Sequence, residues 1–509
     1  MNFNDIYAKL NQAQKEAVDR IYGPVFVLAG PGTGKTQLLS ARVANILNLT
    51  DAGPENILCL TYTDAGVLAM RTRLASIIGP DAYKVNIHTF HSFALEVASS
   101  FSDYFLDTRG FEPIDELTSY LYIEELLDKL PHANKLRHRS FSKEGRINDV
   151  TSKIGDLKNA GLGPEDALSL AKKSAAELTE LQPILDAFPP RMPSKNGLNE
   201  LIETLALTIT KFKPEDENSA IPSLKNVILE SLTAALTAAD AEQKTKPLTA
   251  WKDATLEKNS VGDFVFKDAR YLKNLLNLSE LYLLYQQKLE QEEKLEFADM
   301  ILNLNKALTK NPALKLNLQE KYQFILVDEF QDTNLSQLGI IKSLTEDVEQ
   351  PNIMAVGDDD QAIYAFQGAK VSNIASFLGM YQNPKLITLV DNYRSGQSIL
   401  EASKINANQI IDRPAGTTLK ALNKKSPHQQ KDAVTVSTYQ SEDAEINGVT
   451  ESIAAQVKSG TKPGDIAVLA TRHRHLVALA ENLVSRGVPV FYDKSNNLLD
   501  EPIIQELLN

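Results

Sequence analysis

Apolar residues along this chain follow two rhythms. The first is a set of short unbroken runs: Val25–Ala29, Ile57–Thr61, Phe324–Val327, Ile353–Val356 and Leu386–Val390. Runs of this length, closed by polar loops, suit strands buried on both faces of a parallel sheet. Val85–His88 is a sixth candidate. Helical patterns at Leu10–Val18, Gln37–Leu47 and Ala65–Ile77 lie between the early runs, and strand–helix alternation predicts a doubly wound α/β layer. The second rhythm fills the stretch from about Ser99 to about Ser279, where long patterns such as Ile114–Leu130 and Leu272–Glu290 repeat at helical spacing with hardly any strand candidates. It predicts an all-helical segment inserted into the α/β layer. From about Gly396 a second α/β unit is expected, with strands at Val434–Ser437, Ile466–Leu469 and Val488–Phe491 and a helix at His475–Arg486.

Polar residues collect where the apolar runs end, which is where open parallel sheets bind their ligands. Val25–Ala29 runs straight into Gly30-Pro31-Gly32-Thr33-Gly34-Lys35-Thr36, a match to G-x-x-x-x-G-K-[ST]. Glycines let successive backbone N–H groups turn around an anion, and the following helix adds its positive end. Lys35 is placed to reach the β/γ-phosphates of a nucleotide and the Thr36 hydroxyl to ligate Mg²⁺. Phe324–Val327 ends in Asp328 and Glu329, the pair a nucleotide hydrolase needs: one carboxylate for the metal's water shell and one to polarise the attacking water. Ile353–Val356 ends in Gly357-Asp358-Asp359-Asp360-Gln361, and Leu386–Val390 in Asn392-Tyr393-Arg394-Ser395.

The 509 residues are too many for one core. A net charge of −13 argues against a surface coated for DNA but leaves room for a local basic groove. The run 134–147, with Lys135, Arg137, Arg139, Lys143 and Arg146 against the single acid Glu144, reads equally as a solvated charge run or a nucleic-acid contact. The single Cys59 lies in an apolar strand and reads as a buried thiol. No signal peptide or stretch of about eighteen apolar residues occurs, so a cytoplasmic chain with no membrane span is expected.

Taken together these stretches resemble the UvrD/Rep/PcrA-like helicases of superfamily 1A. Leu10–Val18 is similar to the Q motif, Ala29–Thr36 to motif I, Leu60–Leu74 to motif Ia, Val327–Asp332 to motif II, Val356–Ala369 to motif III and Asn392–Ser395 to motif IV. Thr89–Ala94, Leu157–Leu162 and Leu295–Ile301 resemble further family segments. The resemblance implies a P-loop NTPase of RecA-like fold with an inserted helical subdomain and the start of a second RecA-like domain. Its subdomains would be 1A at 1–98 and 281–395, 1B at 99–280, and an incomplete 2A at 396–509. It implies ATP and Mg²⁺ as cofactors, with Gln14 on adenine, Tyr393 stacked on it, Gly30, Pro31, Gly32, Thr33 and Gly34 around the phosphates, and Gln361 and Arg394 at the γ-phosphate. Tyr62, Tyr364 and Phe366 would stack bases of single-stranded DNA, and Thr63, Thr89 and His91 would touch its backbone.

The implied activity is 3′-to-5′ unwinding or translocation on single-stranded or 3′-tailed DNA, in repair, recombination or replication restart. The alternative is an ATP- and DNA-binding module that does not unwind by itself; another P-loop ATPase, such as a clamp loader, lacks the motif III pattern. Three departures stand out. Phe366-Gln367-Gly368-Ala369 replaces W-R-G-A, Asp64-Ala65 replaces Asn-Lys, and Gln37 occupies a common arginine position. Motifs V and VI are expected to be absent, which makes the chain read as the N-terminal portion of a helicase.

Overall fold

The computed structural model describes residues 3–132, 134–137, 143–193, 197–212, 222–362, 373–409, 418–422 and 434–492. The chain forms two compact units, Met1–Pro427 and His428–Asn509.

The first unit is built on a six-stranded parallel sheet: β1 (Val25–Ala29), β2 (Ile57–Thr61), β3 (Asn86–Thr89), β4 (Phe324–Val327), β5 (Ile353–Gly357) and β6 (Lys385–Leu389). Their order across the sheet is β6-β1-β5-β4-β2-β3, every neighbouring pair parallel. The apolar runs are continuous because both faces are covered. Val27, Cys59 and Leu326 pack with Leu38, Val43, Met70 and Leu74 on one side. Phe26, Leu58 and Ile325 pack with Phe90, Phe93, Leu304, Ile340 and Phe377 on the other. Burial pushes the Cys59 thiol pKa well up, as expected of an inert core cysteine. The helices α1 (Gln12–Asp19) and α2 (Lys35–Leu49) flank β1 in sequence. Arg42 of α2 is buried without a carboxylate partner among the described residues; its guanidinium donates to the carbonyls of Ala17, Arg20 and Ile21, the C-terminal end of α1. A cation there meets the negative end of the helix dipole.

Between β3 and β4 the chain is helical, from Glu116–Lys129 to the 24-residue helix Asp268–Gln291. It carries two apolar cores of its own. A short antiparallel hairpin, Leu256–Lys258 with Phe264–Phe266, interrupts it. Three-residue strands beside helix ends leave too little alternation to be seen in the sequence. A parallel two-residue ladder, Glu112–Pro113 with Lys294–Leu295, sets the entry and exit of this region side by side.

One polar cluster ties the helical region to the sheet body. Lys158, at the end of helix Lys143–Asn159, is fully buried, its ammonium 2.6 Å from Glu296 and 2.7 Å from Asp299. The Tyr285 hydroxyl also donates to Glu296, at 2.6 Å. Burial raises the Glu296 carboxyl pKa, but Lys158 and these hydrogen bonds outweigh it and hold it below the usual range. At Asp299 burial wins, and the pKa rises. One residue further on, Asn159 accepts a hydrogen bond from Asn334 at 3.2 Å. Asn334 caps the helix that follows Asp328 and Glu329.

The second unit corrects the sequence reading. Its described residues form the helices Glu442–Lys458 and His473–Ser485, packed through Ile453, Leu479, Leu483 and Val488. None of the three expected strands, Val434–Ser437, Ile466–Leu469 and Val488–Phe491, is a strand here. They contain the right residue types, but a strand needs a neighbour to take its ladder hydrogen bonds. Val436 is 89% exposed, Leu469 95% and Phe491 91%.

Candidate nucleotide site

The described chemistry-bearing loops of the first unit leave one edge of the sheet, the carboxyl ends of its strands. Four adjacent strands, β6, β1, β5 and β4, deliver Asn392–Ser395, the loop Gly30–Gly34, Asp358–Gln361 and Asp328–Glu329. A cavity of about 370 Å³ opens beside the phosphate loop, lined by Gly30, Pro31, Asp358, Gln361, Ser395 and Lys404 among others.

The loop itself is held open for an anion. Gly32 and Gly34 have φ of +72° and +87°, a left-handed conformation that lets the backbone curl. Inward N–H groups require outward carbonyls, and each of these has a donor. Gly30 C=O accepts from the Thr33 hydroxyl (2.8 Å), Pro31 C=O from Asn392 (2.5 Å), Gly32 C=O from the Tyr393 N–H (2.9 Å) and Thr33 C=O from Gln14 (2.9 Å). The Ala29 side chain is buried at the end of β1, and Thr36 lies half-buried in the first turn of α2.

Lys35 and Glu329 form an ion pair of 2.5 Å across the loop. Glu329 has φ +48°, a left-handed value that turns its carboxylate off the axis of β4. Its Oε2 also accepts from Gln331 at 2.9 Å, and Gln331 Oε1 accepts the Asp358 N–H at 3.0 Å, linking the ends of β4 and β5. Burial and the neighbouring Glu329 charge push the Asp328 carboxyl up to about 6 against the pull of Lys35. Gln361 donates to Asp358 at 2.7 Å. Oxygen donors at Thr36 and Asp328 suit a hard cation such as Mg²⁺, which would relieve the cost of ionising the buried Asp328. Among the described residues no group of three or more His, Cys, Asp or Glu side chains is placed to hold a metal ion.

Gln14 is buried beside the loop. It is 4% exposed; its oxygen accepts the Asn11 N–H and its amide holds Thr33. Tyr393 is 42% exposed, with its hydroxyl accepting from Asn11 at 3.1 Å, and Arg394 is exposed. The described residues assigned to DNA, Tyr62, Thr63, Thr89 and His91, lie at or just beyond the ends of β2 and β3, at the other side of the same edge. Tyr62 is half-buried and Thr63 exposed. Thr63 and Thr89 already cap the helices Asp64–Ile78 and Phe90–Ser100. His91 packs edge-on to Phe297; burial lowers its pKa against the opposing pull of Asp64. Tyr364, Phe366 and Gln367 lie outside the described residues, as does Arg139. Of the basic run, Arg137 donates to the Leu130 carbonyl and Arg146 to that of Arg137, so both guanidinia brace the local backbone.

Residues 10–382 match the UvrD/REP helicase N-terminal domain. The chain belongs to this helicase family. Residues 387–509 match the UvrD-like helicase C-terminal domain, so a portion of that domain stands where only the start of a second unit was expected, and the absence of motifs V and VI is not confirmed. Among relatives, the ATP-dependent DNA helicase PcrA of Staphylococcus epidermidis is 25% identical over 506 residues, and that of Staphylococcus aureus 26%. Both alignments cover 99% of this chain and 54% of the relative, so the chain spans about half the length of the helicases it matches. The α/β fold with its mostly parallel central sheet is consistent with the RecA-like architecture of UvrD-type helicases. Among the described residues no helix is long and apolar enough to cross a membrane.

Asn11, Gln331 and Asn392 were missed as site residues. Asn392 and Gln331 lie inside quoted motifs and Asn11 beside Gln14, but their role is to fill backbone valences, and those are visible only once the loops are side by side.

Proposed function

We propose that this chain is the ATP-hydrolysing part of a 3′-to-5′ DNA helicase or translocase acting on single-stranded and 3′-tailed DNA. Repair, recombination or replication restart is the setting, within the cytoplasm. The observation that carries the reading is the Lys35–Glu329 pair beside a phosphate loop whose Gly30, Pro31, Gly32 and Thr33 carbonyls are each hydrogen-bonded. Lys35 meets phosphate charge, Thr36 and Asp328 hold Mg²⁺, and Glu329, released from Lys35, takes the proton of the attacking water. Bound Mg²⁺ supplies positive charge to the phosphate oxygens. Gln361 and Arg394 attend the γ-phosphate, Gln14 and Tyr393 the base. Tyr62, Tyr364 and Phe366 offer stacking faces to DNA, which is sequence-tolerant and so suits a motor; Thr63, Thr89 and His91 lie against its backbone.

We assign residues 1–98 and 281–395 to subdomain 1A, 99–280 to 1B and 396–509 to 2A. A second reading, that the 509-residue chain binds ATP and DNA but does not unwind, is favoured by its covering 54% of its relatives. Hydrolysis of ATP by this chain, with and without single-stranded DNA, tests both. DNA-stimulated turnover supports the motor. Tight ATP binding with slight turnover and no strand separation of a 3′-tailed duplex supports the binding module. No ATP binding at all overturns both.

A further inference from the structure

The carbonyl accounting of the phosphate loop points to a residue that the nucleotide reading leaves out. Asn392 is wholly buried three residues beyond β6, in the two-residue ladder of Asp391–Asn392 with Lys420–Ala421, and both polar atoms of its carboxamide are hydrogen-bonded. Its Nδ2 donates to Pro31 C=O at 2.5 Å. Its Oδ1 accepts the backbone N–H of Arg394 at 2.9 Å and of Ser395 at 2.8 Å. The next residue extends the seam, since Tyr393 N–H donates to Gly32 C=O. The approach is close enough that a Cβ on Gly32 would lie 2.7 Å from Arg394 Cβ and 2.8 Å from Asn392 Nδ2.

We propose that Asn392 is a positioning residue: one carboxamide both turns a phosphate-loop carbonyl outward and fixes the backbone from which Arg394 reaches the nucleotide. The proposal rests on the reading of Arg394 as a γ-phosphate group. The ladder between β1 and β6 ends at Ala29 and Leu389, so beyond it the loop and the arginine segment are tied by the Tyr393 and Asn392 hydrogen bonds. An amide suits the task because it donates on one side and accepts on the other; a hydroxyl lacks the span, and a carboxylate would face Pro31 C=O with no proton. Removing it leaves a part-buried carbonyl and two N–H groups to find new partners.

The test uses the full 509-residue chain with Asn392→Ser and Asn392→Ala, both neutral so that charge repulsion plays no part, and Arg394→Ala. ADP and a non-hydrolysable ATP analogue are titrated into each by calorimetry. Arg394→Ala should lower the preference for the ATP analogue while leaving ADP affinity within about twofold. The Asn392 variants should weaken ADP by roughly tenfold and also lose the ATP preference, to the level of Arg394→Ala. A proportionate loss for both nucleotides, with the ratio unchanged, would mean general loosening and overturn the proposal, as would affinities within about twofold of the unaltered chain. If Arg394→Ala leaves the ratio intact, the arginine reading fails, and the ADP arm alone then judges whether Asn392 shapes the loop.

Discussion

Glu329 lies 2.5 Å from Lys35, so the proposed base and the proposed phosphate-directed cation are paired with each other in this structure. Binding must separate them, because phosphate oxygens compete for the lysine and thereby free the carboxylate. Glu329→Gln should keep or tighten ATP binding, since Lys35 loses its partner, while turnover falls by at least about 10²-fold. Lys35→Ala should abolish hydrolysis. Calorimetric ATP titration with phosphate release checks both, and near-normal turnover in Glu329→Gln would exclude it as the base.

Lys158→Met should destabilise the first unit by about 3–5 kcal/mol, because Glu296 and Asp299 would be left buried with no cation. Adding Glu296→Gln and Asp299→Asn should recover much of that loss. Urea unfolding of the single and triple variants measures it. A single variant within about 0.5 kcal/mol of the unaltered chain would show that the cluster is hydrated in solution.

Three carboxyls at the strand ends give a pH signature. Burial, with a neighbouring acid, pushes Asp328 and Asp332 up to about 6 and Asp359 to about 7. Unfolded, each has the ordinary value of 3.8, so between that pH and about 7 the folded chain holds more protons. Stability is therefore greatest on the acid side of this window and declines as pH rises through 6 to 7. Glu125, drawn down to about 2 by Lys129 and Lys288, works in the opposite sense but only at lower pH. In Mg²⁺-free buffer the urea midpoint should fall between pH 5 and pH 8, and Asp359→Asn should flatten the fall. An unchanged slope in that variant would rule out Asp359 as a contributor.

The sheet was readable from sequence because strands buried on both faces leave uninterrupted apolar runs, as Val25–Ala29 and Ile353–Gly357 do. The paired carboxylates Asp328 and Glu329 were readable as a candidate site because two charges at the end of such a run have no packing use. Val434–Ser437 and Val488–Phe491 carry the same residue types, yet composition cannot say whether a partner strand lies alongside. Gln14 was legible as a site residue, but its hydrogen bond to the Thr33 carbonyl was not. Asn392 shows the limit most clearly: four consecutive carbonyls needing donors is a statement about loop geometry, not residue type.

Tyr62→Ala and Phe366→Ala should each weaken single-stranded DNA binding by about 1–3 kcal/mol with little dependence on sequence, as expected for base stacking. Reversing Arg137 should instead chiefly disturb local structure, since its guanidinium is spent on Leu130. Fluorescence anisotropy across several salt concentrations separates the cases. Unchanged affinity in both aromatic variants would assign those rings to packing.

The order of strands also sets a timetable for synthesis. Val25 of β1 lies opposite Met354 on one side and Lys385 on the other. The strand made first therefore waits for strands made late, and the phosphate loop gains its first flank only after Gly357 and its second only after Leu389. Until the first arrives β1 presents two bare edges, a known hazard for mispairing. The helical stretch, with cores formed by nearby residues, can fold in the meantime and hold Lys158 ready for Glu296 and Asp299 as they emerge.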